Sequence, residues 1–145
     1  MKRLLIFLLS FLVLSFSKAQ SPDNWQILLN KQSIFKGNSD RSNPTAIVKT
    51  KSLKMSDCLT IRYNTDNADI GWKRTFYVND SVDQNIKTLH LNKQSGCVSF
   101  KVSALKEMID KKRPVFIFTT SLPRDPSKAA VVRIRRVLLC KIDWN

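Results

Sequence analysis

Short runs in which apolar and polar residues alternate recur along this chain, and clusters of Asn, Asp, Ser, Gly and Pro separate them. Alternation with period two places successive side chains on opposite faces of an extended backbone, so each run can bury one face only. Many such runs at short spacing point to an all-β sandwich or barrel. Strands are expected near Trp25–Leu29, Ala46–Thr50, Cys58–Tyr63, Arg74–Val78, Ile86–Leu91, Cys97–Val102, Val115–Thr120 and Ala130–Ile142. The expectation is therefore an Ig-like antiparallel β-sandwich of seven to eight strands, with one short helix between strands.

Parity within the runs selects the core. Leu59, Ile61 and Tyr63 share one face, as do Phe76 and Val78, and Val98, Phe100 and Val102. Val115 to Phe118 is apolar on both faces, which fits a central strand. The helix is expected in "ALKEMIDKK", with Ser103 as its cap and with Leu105, Met108 and Ile109 on one side at helical spacing. A helix this short must pack across an end of the sandwich to be stable.

The first residues are a targeting signal by composition. Lys2 and Arg3 precede an apolar run from Leu4 to Phe16, and Ser17-Lys18-Ala19 supplies small residues at a cleavage site. The run is shorter than the roughly 20 residues that span a bilayer. We read 1–19 as a cleaved signal peptide and 20–145 as a single domain, secreted or periplasmic, with no transmembrane segment after cleavage. A domain of that length buries a core without metals or disulfides.

Charge narrows the partners. Removal of Lys2, Arg3 and Lys18 takes the net charge from +14 to about +11. Such an excess favours anionic neighbours: an envelope polysaccharide or lipid, or an acidic protein, with nucleic acid bound only non-specifically. Acids gather in turns (Asp66, Asp69, Asp80, Asp83), whereas bases lie within the strand-like runs and at Lys111-Lys112-Arg113.

The stretch "AVVRIRRVLLCKI" (130–142) concentrates the bases. On strict alternation Arg133 and Arg135 point away from the face of Val132, Ile134, Leu138, Cys140 and Ile142, and Arg136 falls on that apolar face. An unpaired buried guanidinium costs several kcal/mol. A β-bulge at Arg135-Arg136 would turn both outward and carry Val137 and Leu139 inward. Arginines on a sheet's outer face ordinarily cover it with their stems, and a stripe of them can also grip phosphate, sulfate or carboxylate.

Three loops exceed what tight hairpins need: "GNSDRSNP" (37–44), "NTDNADIGW" (64–72) and "SLPRDPSK" (121–128). Loops of this kind carry binding residues on sandwiches. Arg124, Lys128, Arg133, Arg135 and Trp72 are the candidate ligand-binding residues. Trp25, Trp72 and Trp144 all invite stacking on a sugar; Trp72, which closes a long polar loop, is the best candidate, although a tryptophan at a strand start more often packs against core or rim.

Catalytic groups are sparse. His90 is the only histidine and shares its parity with Thr88, an exposed position; a Cys97–His90 dyad would need their strands to pair suitably. Cys58, Cys97 and Cys140 lie too far apart in sequence for a zinc motif. An odd number leaves one thiol unpaired, and strand direction makes Cys58–Cys140 the most compatible bridge, although their parities differ. "DNADIG" (66–71) has oxygens that suit calcium but lacks an EF-hand's ordered ligands, so Asx turns explain it as well. No cofactor is expected.

The segments "SFSKAQ", "NWQILLNKQSIFK" and "LPRDPSKAAVVRIRRVLLCKI" resemble the ends of small secreted β-sandwich proteins of unknown function from Bacteroidota. The resemblance implies an exported or envelope location and an Ig-like sandwich, and it brings no catalytic residues. The function expected is a non-enzymatic binding module with a basic surface. A carbohydrate-binding module built on Trp72 and loops 64–72 and 121–128 is the alternative, and a small hydrolase or thiol enzyme the second.

Overall fold

In the computed structural model, which describes residues 22–40, 44–66 and 71–145, the alternating runs assemble into two facing sheets. The strands are β1 (Asn24–Leu29), β2 (Gln32–Asn38), β3 (Thr45–Val48), β4 (Cys58–Asn64), β5 (Trp72–Asn79), β6 (Asn85–Leu91), β7 (Gly96–Lys101), β8 (Val115–Pro123) and β9 (Val137–Trp144). One sheet runs β2-β1-β4-β7 and the other β3-β9-β8-β5-β6. The expected all-β sandwich is thus formed, with nine strands described rather than seven or eight. Every pair is antiparallel except β3 with β9, which is parallel.

The inner faces carry the residues that parity selects. Leu59 and Ile61 of β4, Phe76 and Val78 of β5, and Val115 and Ile117 of β8 are all buried, and β8 lies centrally between β9 and β5. The strand not foreseen is β2. Asn30 and Lys31 link it to β1 with φ of 48° and 70°, the positive pair that a two-residue hairpin turn requires. Lysine is not a turn signal at that position, and within β2 only Phe35 is buried, so the run shows little alternation.

At the far end from the β4–β5 connection, a 3₁₀ turn over Val102–Leu105 leads into α1 (Lys106–Asp110). Val102, Leu105, Met108 and Ile109 close that end of the core. Ser103 is not the cap expected of it: it lies inside the turn, its side chain caps nothing, and its N–H bonds to the Met55 carbonyl at 3.1 Å. The loop before β4 supplies the acceptors there, which leaves no role for a side-chain cap.

The last expected strand is corrected twice. Residues 126–131 form a helix, α2 (Pro126–Val131), capped by Asp125 through a 2.9 Å bond from the Ser127 N–H. Asp-Pro is a sound helix-start signal, but the β-branched run that follows it reads as strand. Residues 132–136 belong to no helix or strand, so β9 begins only at Val137. No bulge exists at Arg135-Arg136, which stand outside the ladder.

The change of phase occurs at Leu139 instead. Ile117 opposes Cys140 and Phe118 opposes Leu138, so Leu139 has no partner of its own. Leu139 and Cys140 are consequently both fully buried. The bulge directs the Leu139 carbonyl into the sandwich, where the Trp25 indole N–H of the opposite sheet donates to it at 2.8 Å.

The Cys58–Cys140 bridge does not form, and all three cysteines are free. Cys58 lies on the outer side of β4, since Leu59 and Ile61 face inward, whereas Cys140 points into the core from the other sheet. Burial pushes the Cys140 thiol up to about 12. With a thiol reagent at neutral pH, exposed Cys97 is therefore expected to label fast and Cys140 only when denaturant unfolds the chain. Mass spectrometry of labelled peptides checks this; prompt labelling of Cys140 in the native protein would contradict its burial.

Candidate functional site

At the opposite end from α1 the inner faces turn polar. Here β1, β5 and β9 begin and β4 and β8 end. Parity continues Phe76 and Val78 outward to Arg74 and Trp72 along β5, and Val115 and Ile117 to Thr119 and Ser121 along β8. These side chains surround a pocket of about 300 Å³. Asp23, Trp25, Ser39 and Tyr63 line it from one sheet, and Trp72, Arg74, Thr119, Thr120 and Ser121 from the other. Val132, Arg133, Arg135 and Val137 complete the wall. Parts of all three long loops meet at this end, although residues 41–43 and 67–70 lie outside the described residues, and with them most of the "DNADIG" reading.

Arg74 is 6% exposed. Its Nε donates to the Gln94 carbonyl at 3.0 Å, Nη2 to Gln94 Oε1 at 2.9 Å, and Nη1 to Thr119 Oγ1 at 3.4 Å. The guanidinium carbon stands 3.8 Å from the centre of the Tyr63 ring. Burial lowers its proton affinity, opposed by Tyr63 and Asp23. It keeps its charge all the same, because an arginine in a protein does not give up its proton.

Among the described residues no carboxylate is hydrogen-bonded to that charge. Asp23 instead accepts from the Tyr63 hydroxyl at 2.6 Å. Burial, followed by that bond, raises the Tyr63 phenol above its ordinary range, so it stays a donor. Tyr63 also lies 5.9 Å from the Trp25 ring, nearly parallel to it.

The three arginines of 133–136 divide their roles. Arg136 leaves the pocket and forks onto Asp83 at 2.8 and 2.5 Å, with its guanidinium 3.7 Å from the Phe118 ring centre. That anchor holds the segment against the outer face of the sheet. Arg133 and Arg135 are exposed at the pocket and have no ion pair or hydrogen bond among the described residues.

The Arg136 hydrogen bonds hold the Asp83 carboxyl down to about 2. A carboxyl depressed on folding stabilises the native state above its unfolded value near ~3.9, and the contribution vanishes as pH falls through the folded value. Asp83→Asn is therefore expected to be less stable than the parent at pH 5, with the gap closing as pH approaches 2. Urea midpoints across that range test it, and a gap independent of pH would refute the anchor.

Among the sequence-predicted residues, Trp72, Arg133 and Arg135 thus come together. Arg124 and Lys128 do not join them: both are exposed, Lys128 lies on α2, and Arg124 contributes its backbone N–H to the Gly71 carbonyl at 2.7 Å. Trp144 is buried, with its indole N–H unpartnered among the described residues. The sequence alone assigns Arg74 and Tyr63 no place in a site. The signal for Arg74 was available, since it shares a parity with Phe76 and Val78 and a charge on a core face requires an explanation.

His90 and Cys97 are not brought together. His90 pairs with Thr75 on the outer face of one sheet, with 3.3 Å between Thr75 Oγ1 and His90 Nδ1, while Cys97 opposes Arg62 on the outer face of the other. No cluster of His, Cys, Asp and Glu suited to a metal occurs among the described residues. No described helix is long and apolar enough to cross a membrane. No family model matches this chain, and no curated protein matches it.

Proposed function

We propose that this chain is an exported, secreted or periplasmic, non-enzymatic binding module, and that the pocket at the polar end of its sandwich engages an anionic partner. One observation carries the reading: Arg133 and Arg135 flank a concave site that already contains Arg74 and Trp72, without acidic partners among the described residues. Guanidinium groups left free beside a cavity attract phosphate, sulfate or carboxylate. The partner class is an anionic envelope polysaccharide or lipid, or an acidic protein, and nucleic acid is held only through its charge.

Trp72 supports the alternative of a carbohydrate-binding module. It is half-buried in the same pocket, beside the hydroxyls of Thr120 and Ser121. The test is binding to lipopolysaccharide, sulfated glycan, neutral glycan and DNA across a salt series. Preference for one anionic ligand supports the first reading. Salt-insensitive retention of neutral glycan, lost in Trp72→Ala, supports the second, and binding to none of them removes both.

A further inference from the structure

We infer that the pocket receives a single sugar-acid residue at the end of an acidic polysaccharide, with the Arg74 guanidinium taking its carboxylate and Trp72 facing its ring. This rests on the binding-module reading above and names its ligand.

Arg74 is the reason. A charge this deep in a sandwich is ordinarily matched by a carboxylate, because desolvation costs several kcal/mol. Here the acceptors are neutral: a carbonyl, an amide oxygen and a hydroxyl, which take three of the five N–H groups. Gln94 is itself fixed, by bonds of 2.7 and 2.9 Å with the Ser121 hydroxyl. The fork is thus held rigid from one side by acceptors that, among the described residues, are all neutral, and it borders the cavity. A guanidinium fork takes a carboxylate in bidentate fashion, and a carboxylate is a more basic, and so a stronger, acceptor than a sulfate ester.

The remaining lining suits a hydroxylated ring. Ser39 and Thr120 also line the cavity, and Asp23 offers a carboxylate oxygen to a sugar hydroxyl. A volume of about 300 Å³ is at the small end for ligand pockets and suits a single sugar ring. Arg133 and Arg135 stand exposed at the same wall, where the following acidic units of a chain would pass. The buried arginine then selects the terminal residue, and the exposed pair adds attraction along the chain.

The test is calorimetric titration of the protein with glucuronate, galacturonate, glucose, galactose and galactose 6-sulfate, with the Arg74 Nε–H resonance followed by NMR. Both uronates are expected to bind about ten- to a hundredfold more tightly than their neutral parents, the worth of a charged hydrogen-bonded pair, and more tightly than the sulfate ester. The Arg74 resonance should shift to saturation with the uronate. Arg74→Lys, which keeps the charge without the fork, should lose the preference. Should that variant not fold, selectivity and the resonance in the parent protein decide.

Uronates binding no better than glucose or the sulfate ester, or an Arg74 resonance that stays put at saturation, would overturn the inference. Polyanion binding that still depends on Arg133 and Arg135 would then leave the module reading intact. Absence of both kinds of binding would remove both.

Discussion

Trp25→Ala is expected to destabilise the protein by about 3–5 kcal/mol, as loss of a large buried aromatic does, and Trp25→Phe by about 1–3 kcal/mol for a different reason. The indole is buried, lies parallel to Tyr63, and donates to the one carbonyl that the β9 bulge turns inward. Phenylalanine preserves most of the apolar area but leaves the Leu139 carbonyl without its donor. A buried acceptor stripped of its partner carries the full desolvation penalty.

Room for the indole comes from its neighbour on β2. A Cβ at Gly37 would lie 2.5 Å from Trp25 Nε1 and 2.7 Å from Cε2, so only glycine fits opposite it. Urea unfolding of both variants, with unchanged m-values, provides the measurement. A Trp25→Phe cost below about 0.5 kcal/mol would mean that the carbonyl finds another donor, since even an ordinary hydrogen bond is worth that much. The account of the bulge would then fail.

The second large effect concerns binding. Arg133→Gln with Arg135→Gln is expected to weaken affinity for the preferred anionic glycan at least tenfold at moderate salt, the equivalent of about 1.4 kcal/mol. It should also flatten the dependence of log K on log salt, by about 0.7–0.9 for each arginine–anion pair removed if the glycan behaves as nucleic acid does.

The control is Arg124→Gln with Lys128→Gln, which removes the same charge from residues that do not line the pocket. If the net charge alone attracted the ligand, both double variants would weaken it equally. If the pocket is the site, only the first should. Equal losses would move the site away from the 133–136 segment. Thermal unfolding of both variants near the parent temperature excludes a trivial cause, because all four side chains are exposed.

Much of this architecture was legible because burial on a sheet has a period of two. Leu59, Ile61, Tyr63, Phe76, Val78, Phe100 and Val102 are assignable to an interior from spacing alone, and they lie in it. The polar loops were equally legible as the place for a site. Where alternation was weak or misleading, sequence did not suffice. β2 has one buried side chain, and Val131, the last residue of α2, opens the β-branched stretch that reads as strand.

What only the tertiary structure decided is who meets whom. Trp72 and Arg133 are far apart in sequence, and they share a pocket because the antiparallel ladders bring the end of β8 beside the starts of β5 and β9. Arg136 separates from Arg133 and Arg135 because Asp83, from another hairpin, lies within reach of it. The phase of β9 changes at Leu139 because a tryptophan across the sandwich satisfies the carbonyl released there. Local spacing sets which face of a strand is apolar. Partners for buried polar groups come from distant parts of the chain, and no local pattern encodes them.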